Sequence, residues 1–183
     1  EAMYYRLAQA VSFSNSFIKN ASELSGDEVS VFVAEARFLR AYAYYNLLDL
    51  YGNVPLTTEI STELPTQSNR TELFNFIESE LMDIESTLLA SNEYGRVDNI
   101  AAHALLSRLY LNAEAWTGQD RYADCVTYSQ NVINSGYTLN MNDANGNGTA
   151  YDELFLADND VNGAQNEFIF ALNFDGMQSQ TCG

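Results

Sequence analysis

Apolar side chains recur with helical period through the first three quarters of the chain, and the period is lost in the remainder. The strongest stretch is Val33 to Leu56, VAEARFLRAYAYYNLLDLYGNVPL, where Glu35, Arg37, Arg40, Asn46 and Asp49 are the only strongly polar side chains before Tyr51. A helix this apolar on most sides is expected to lie between neighbours rather than on a surface. Asp27, after the turn at Ser25-Gly26, is its expected cap. Gly52 and Pro55 end it, because Gly accepts the left-handed conformation past a helix end and Pro cannot continue one. Upstream, Ala2 to Asn20 forms a first helix with Tyr5, Ala8, Val11 (or Ser12), Asn15 and Ile18 on one face.

Downstream, a Thr/Glu/Ser-rich connection containing Pro65 runs to Ser68. Asn69 and Glu72 then make a capping-box start, and Leu73, Ile77, Leu81, Ile84 and Leu88 follow at amphipathic helix spacing. The turn Glu93-Tyr94-Gly95-Arg96 leads to Asp98, the expected cap of a helix from Asn99 to about Ala115. Its Ala101, Ala102 and Ala104 allow a neighbouring helix to approach closely. A further helix is predicted from about Asp120 to Asn134, with Tyr122, Cys125, Val126, Ser129, Val132 and Ile133 inward and Gly136 at its C′ position. After Gly136 come an Asn/Gly-rich loop (Asn140 to Gly148), a short helical turn (Tyr151 to Leu156) and a β-type apolar run (Glu167 to Phe174). The fold class expected is mainly α, with tetratricopeptide-like antiparallel helical pairs over residues 1–136 and a loop-rich, partly β segment over 137–183.

The charges in the central helix have no opposite partner at helical spacing, so a buried Arg37 or Arg40 needs a carboxylate or carbonyl from another element. The favoured reading is a clamp between helices rather than an anion site. A core of useful size is within reach of 183 residues that are 46% hydrophobic. Eight basic against 25 acidic residues give a net charge of −17, which disfavours nucleic-acid binding and polybasic membrane attachment. Cys125 and Cys182 are too few for a disulfide framework or a zinc cluster, and a bridge between them and two separate thiols stay open. No apolar run is long enough to cross a membrane as a helix. The opening EAMYYRLAQAV is already amphipathic, so the sequence reads as an interior portion of a longer chain.

Candidate chemistry is sparse. His103 is the single histidine and is expected to be a packed, hydrogen-bonded core or groove residue. Ser107 lies one turn from it, yet nothing suggests an oxyanion hole, so no catalytic residue is nominated. Asp143, Asn145, Asn147 and Gly148 imitate the opening of a calcium loop, but the position for the bidentate acid is Leu154, with Glu153 one place short. A plain Asn/Gly turn is the reading preferred there, with no metal and no cofactor. Among 23 aromatic residues, most fall at helical spacing and are core by default. Trp116 and Tyr94 sit at turns outside those stripes and are the candidates for ligand contact.

The run EARFLRAYAYYNLLDLYGNVPL resembles the signature of the SusD/RagB family of outer-membrane nutrient-binding lipoproteins. YYRLAQAVSFSNSFI is similar to the family helix before it. GRVDNIAAHALLSRLYLNAE, CVTYSQNVINSGYTL and NEFIFALNFDG resemble later segments in the family's order. The resemblance implies a non-catalytic protein that captures glycans (or peptides, in the RagB branch) at the cell surface. It would deliver them to a SusC-like TonB-dependent barrel and be lipid-anchored through an N-terminal cysteine absent from this sequence. The helices would be scaffold, with Glu35, Arg37, Arg40, Gly52, Pro55, Gly95 and Arg96 as its structural signature, and ligand contacts would come largely from loops. Two other readings stay open: a self-contained tetratricopeptide scaffold that binds a protein, and an all-α carbohydrate-active enzyme.

Overall fold

In a computed structural model, which describes residues 1–174, the chain is mainly helical. Helix α1 (Ala2–Ala21) packs antiparallel to α2 (Asp27–Tyr51), and α2 packs on α3 (Arg70–Ile84). Helix α4 (Asn99–Leu111) is followed by the short α5 (Ala113–Thr117) and by α6 (Tyr122–Ile133), which lies along α4. Between α2 and α3, Val54–Pro55 (β1) pairs antiparallel with Gln67–Ser68 (β2), placing Pro55 opposite Gln67.

Helix α2 is the centre of the array. Phe38, Ala41, Ala43, Tyr44, Leu47 and Leu48 are all buried on it, so it faces neighbours over most of its circumference. The expected cap differs: Gly26 precedes the helix and Asp27 is its first residue, where a carboxylate favours the dipole without a capping bond. At the other end Gly52 has φ of 73° and donates its N–H to the Leu48 carbonyl. A Cβ there would meet Arg70 Nε at 2.7 Å, so glycine serves both the backbone turn and the close side chain.

Glu80 of α3 is the carboxylate that the two arginines of α2 require. Its Oε1 accepts from Nε and Nη2 of Arg37 at 3.1 and 2.6 Å, and its Oε2 accepts from Nε and Nη2 of Arg40 at 3.2 and 2.6 Å. Arg40 Nη1 donates to Asn15 Oδ1 at 2.7 Å, which ties α1 to the same cluster. Asn15 Nδ2 and the buried Tyr44 hydroxyl both donate to the Thr57 carbonyl, and Tyr44 also accepts from Thr57 N–H. One polar network therefore joins three helices and the connection after Pro55.

Helix α3 begins with the expected capping box at Asn69 and Glu72. It ends at Ile84, earlier than the apolar period suggested, although Leu88 beyond it is still buried. Asp98 caps α4 through a bond from Ala101 N–H. That helix breaks at Asn112 instead of running to Ala115, because Asn112 leaves the helical conformation and Trp116 belongs to the separate α5.

Four expectations from the sequence are corrected. On α1, Tyr5 is exposed and Tyr4 takes the inward position, edge-on to Tyr51 at 5.3 Å. On α6, Tyr122, Val126 and Ile133 face outward, while Cys125, Tyr128, Ser129 and Val132 are half-buried. Polar groups select that phase: Ser129 and Ser107 hydroxyls lie 2.6 Å apart, and Tyr128 donates to Glu85. Gly136 is not a C′ residue, since α6 ends at Ile133 with Asn134 as its C-cap, and Gly136 lacks the positive φ of a left-handed cap. His103 is buried against Tyr128, yet neither ring nitrogen makes a hydrogen bond. The Glu85 carboxylate lies 3.7 Å from Nε2.

The segment after α6 folds back along the array. Tyr137 donates to Asp98 Oδ2 at 2.7 Å, so one carboxylate both caps α4 and anchors the segment. Farther on, the buried Glu153 accepts from Asn145 N–H and from the Asn162 amide. Asp143 accepts from the N–H groups of Asn147 and Gly148. The loop that imitates a calcium site thus spends its carboxylates on its own backbone, and no cluster of three metal-ligating side chains occurs among the described residues. Residues 167–174 were expected as a strand but pair with none among the described residues. Their aromatic side chains hold them instead: Phe170 packs edge-on to Phe38 and Tyr42, with ring centres 5.3 and 5.9 Å away. Cys125 carries a free thiol, and Cys182 lies outside the described residues.

Two predictions follow from these contacts. Glu80→Gln leaves Arg40, 7% exposed in its side chain, buried without full compensation, and is expected to cost about 3–5 kcal/mol in urea unfolding. Asp83→Asn on the exposed edge of the same cluster should cost under about 1 kcal/mol. A Glu80→Gln loss no larger than that of Asp83→Asn would refute the clamp. For Tyr137, burial first and then the Asp98 hydrogen bond push the phenol well above its ordinary range. Its contribution is therefore complete below the unfolded phenol value of about 10 and is lost as pH rises beyond it. Tyr137→Phe should cost about 2 kcal/mol at neutral pH and flatten the alkaline fall in stability. Equal alkaline slopes in the two proteins would contradict this.

Candidate functional site

The turn between α3 and α4 is built to hold one aromatic residue outward. Arg96 N–H donates to the Glu93 carbonyl, and Gly95 takes φ of 81°. A Cβ on Gly95 would collide with the Asn173 amide, so the last described residues pass directly over this glycine. Arg96 donates through Nε and Nη2 to Glu35 on α2, and Asn92 bridges Glu35 and the Val97 carbonyl at 3.1 and 2.9 Å. The Arg96 guanidinium also covers the Phe32 ring at 5.1 Å. Glu35, 61 positions before Arg96, thereby joins Gly95 and Arg96 in fixing the turn from which Tyr94 projects.

Tyr94 is 39% exposed, and its ring stands 6.5 Å from that of Phe168. This pair separates two open clefts of about 300 and 520 Å³. The first is edged by Asn92, Glu93, Gln165 and Asn166, with the Asp98–Tyr137 pair at its base. The second is edged by Asn159, Asp160 and Asn173. Burial, and then the charge of Asp160, raise the Tyr94 phenol above its usual range, so it is a neutral hydroxyl at physiological pH. Flat apolar rings flanked by amides and hydroxyls match a sugar ring, which has apolar faces and a polar rim.

The other residues singled out in the sequence lie elsewhere. Arg37 and Arg40 are engaged in the interhelical cluster on Glu80 and face no cleft beside Tyr94. Gly52 and Pro55 shape the end of α2. Trp116 is half-buried on α5, edge-on to Tyr45 at 5.8 Å, and lines neither cleft. Phe168, Asn92 and Tyr137 had not been singled out. Phe168 lay inside the run expected as a strand, where apolar alternation masks an aromatic that faces a cleft. A separate groove of about 640 Å³ between α1 and α2 is lined by Phe13, Phe17, Phe32, Leu39 and Leu172. It lacks the density of polar groups that a sugar requires.

Comparison with known proteins agrees with this architecture. The family profile described as "Starch-binding associating with outer membrane" matches residues 2–111. The starch-binding protein SusD of Bacteroides thetaiotaomicron is 37% identical across 100% of this chain, which covers 32% of that protein. A solved SusD-like protein of Bacteroides fragilis superposes with a TM-score of 0.76 at 25% identity, over 94% of this chain and 33% of its own. A structure solved with a xylogluco-oligosaccharide gives a TM-score of 0.80 at 25% identity, over 94% of this chain and 35% of its own. The chain therefore spans about a third of the length of these relatives. It belongs to the SusD-like family.

Proposed function

We propose that this chain forms part of a non-catalytic glycan receptor at the outer-membrane surface, with Tyr94 and Phe168 as an aromatic platform for the sugar. In this reading residues 1–136 are the helical scaffold, and the segment from residue 137 onward completes the ligand-facing side. The whole protein would be lipid-anchored and would pass captured oligosaccharide to a SusC-like TonB-dependent barrel.

The observation that carries the reading is the position of the Tyr94–Phe168 pair between two amide-edged clefts. Relatives named for starch and solved with a xylogluco-oligosaccharide support a glycan as the ligand class. Capture at such a site needs no bond making. A ring face contributes apolar area, the amides supply hydrogen bonds, and a turn already held by Glu35 and Arg96 loses little freedom on binding.

The test is calorimetric titration with maltoheptaose and a xylogluco-oligosaccharide. Tyr94→Ala is expected to weaken binding about tenfold, the scale of losing one aromatic face. Trp116→Phe, remote from both clefts, should leave affinity unchanged. Equal affinities for wild type and Tyr94→Ala would remove the platform from the reading.

A further inference from the structure

We infer that the Tyr94–Phe168 site selects neutral oligosaccharides and rejects polyanionic ones, because the single cation lining it is already committed to a partner. The inference rests on the glycan-capture reading above and adds the charge class of the ligand.

Acidic sugars, bearing uronate or sulfate groups, are held by cations free to approach them, and arginine suits this best through its paired N–H donors. Among the described residues that line the two clefts there is one guanidinium, Arg96, and no lysine. Arg96 is not free to turn. Its Nε and Nη2 both donate to Glu35, and its flat face rests on Phe32. The Glu35 side chain is only 14% exposed, so withdrawing Arg96 to grip an incoming anion would leave a largely buried carboxylate with no countercharge and only the Asn92 amide as partner. It would also release the turn that presents Tyr94.

The remaining charges on the clefts are negative. Glu93 is exposed on the first cleft and Asp160 on the second. Asp98 lies buried at the base, with its oxygens taken by Ala101 N–H and the Tyr137 hydroxyl. The influence of Asp160 reaches the ring itself, since it helps to keep the Tyr94 phenol protonated. Around this lies a chain of net charge −17, whose field repels an approaching polyanion before contact. A neutral glycan meets none of these penalties. It needs ring faces and hydrogen bonds, which the aromatic pair and the amides of Asn159 and Asn166 supply.

The distinguishing measurement is titration of the full chain at low salt and at roughly 0.5 M salt, where the Debye length shrinks to about 4 Å. Maltoheptaose, a xylogluco-oligosaccharide and a laminari-oligosaccharide would be compared with an oligogalacturonide and a heparin-derived oligosaccharide of similar length. At least one neutral ligand is expected to bind with affinity constant within about twofold across the two salts, whereas the anionic ligands fail to saturate at low salt. The double variant Glu93→Lys/Asp160→Lys should gain at least about tenfold in oligogalacturonide affinity at low salt and lose that gain at high salt. Wild-type binding of an anionic ligand as tightly as a neutral one would overturn the charge selection while leaving glycan capture standing. Failure of every glycan to bind would overturn both. Neutral binding undiminished by Tyr94→Ala would show that the selecting site lies elsewhere and would overturn the inference as placed.

Discussion

The fold depends on one carboxylate. Glu80 divides its two oxygens between Arg37 and Arg40, so that each oxygen receives two N–H groups from a single guanidinium. Taking three charges into a helical interface is costly, and only near-complete hydrogen bonding offsets that cost. The geometry is of that kind. Arg40 spends its remaining nitrogen, Nη1, on Asn15 and the Thr58 carbonyl, which recruits α1 and the post-α2 connection. Apolar packing alone would let α1 and α3 slide along α2. The polar cluster sets their register, as a directional contact can and a greasy one cannot.

A second ion pair carries the arrangement from the scaffold to the site. Glu35 lies two residues before Arg37 on the same helix, but it points to the turn before α4 and holds Arg96 there. Thus α2 organises the α3 interface with its arginines and the Tyr94 turn with its glutamate. The clefts are linked to the helical core by charged hydrogen bonds, and Tyr94 is presented by a rigid element rather than a free loop. Asp98 plays the matching part on the other side, since it caps α4 and receives Tyr137 from the returning segment.

Helical content, element order and most helix boundaries were legible in the chain because they rest on local rules. Capping at Asn69 and Asp98, termination at Gly52 and the period of α3 each involve residues within a few positions of one another. The need for a partner to Arg37 and Arg40 was legible too, because a buried guanidinium without one is prohibitive. The rotational phase of α6 was not. Val126 and Ile133 looked inward by hydropathy, whereas the Ser107–Ser129 and Tyr128–Glu85 contacts turned the helix the other way. Those partners lie on other helices and leave no periodic trace.

The sequence by itself determined that this is a mainly helical, acidic chain of the SusD-like family, with a charged central helix that must be clamped. It also placed Tyr94 at a turn outside the core stripes. Only the tertiary structure decided that Glu80 is the clamp, that Arg96 is bound to Glu35, and that Phe168 comes to stand beside Tyr94. The physical reason is range. Propensity, capping and period act over one or two helical turns, while Arg96 and Glu35 are 61 positions apart and Arg40 and Glu80 are 40 apart. Contacts over such separations follow from how helices pack, and packing is a property of the whole array.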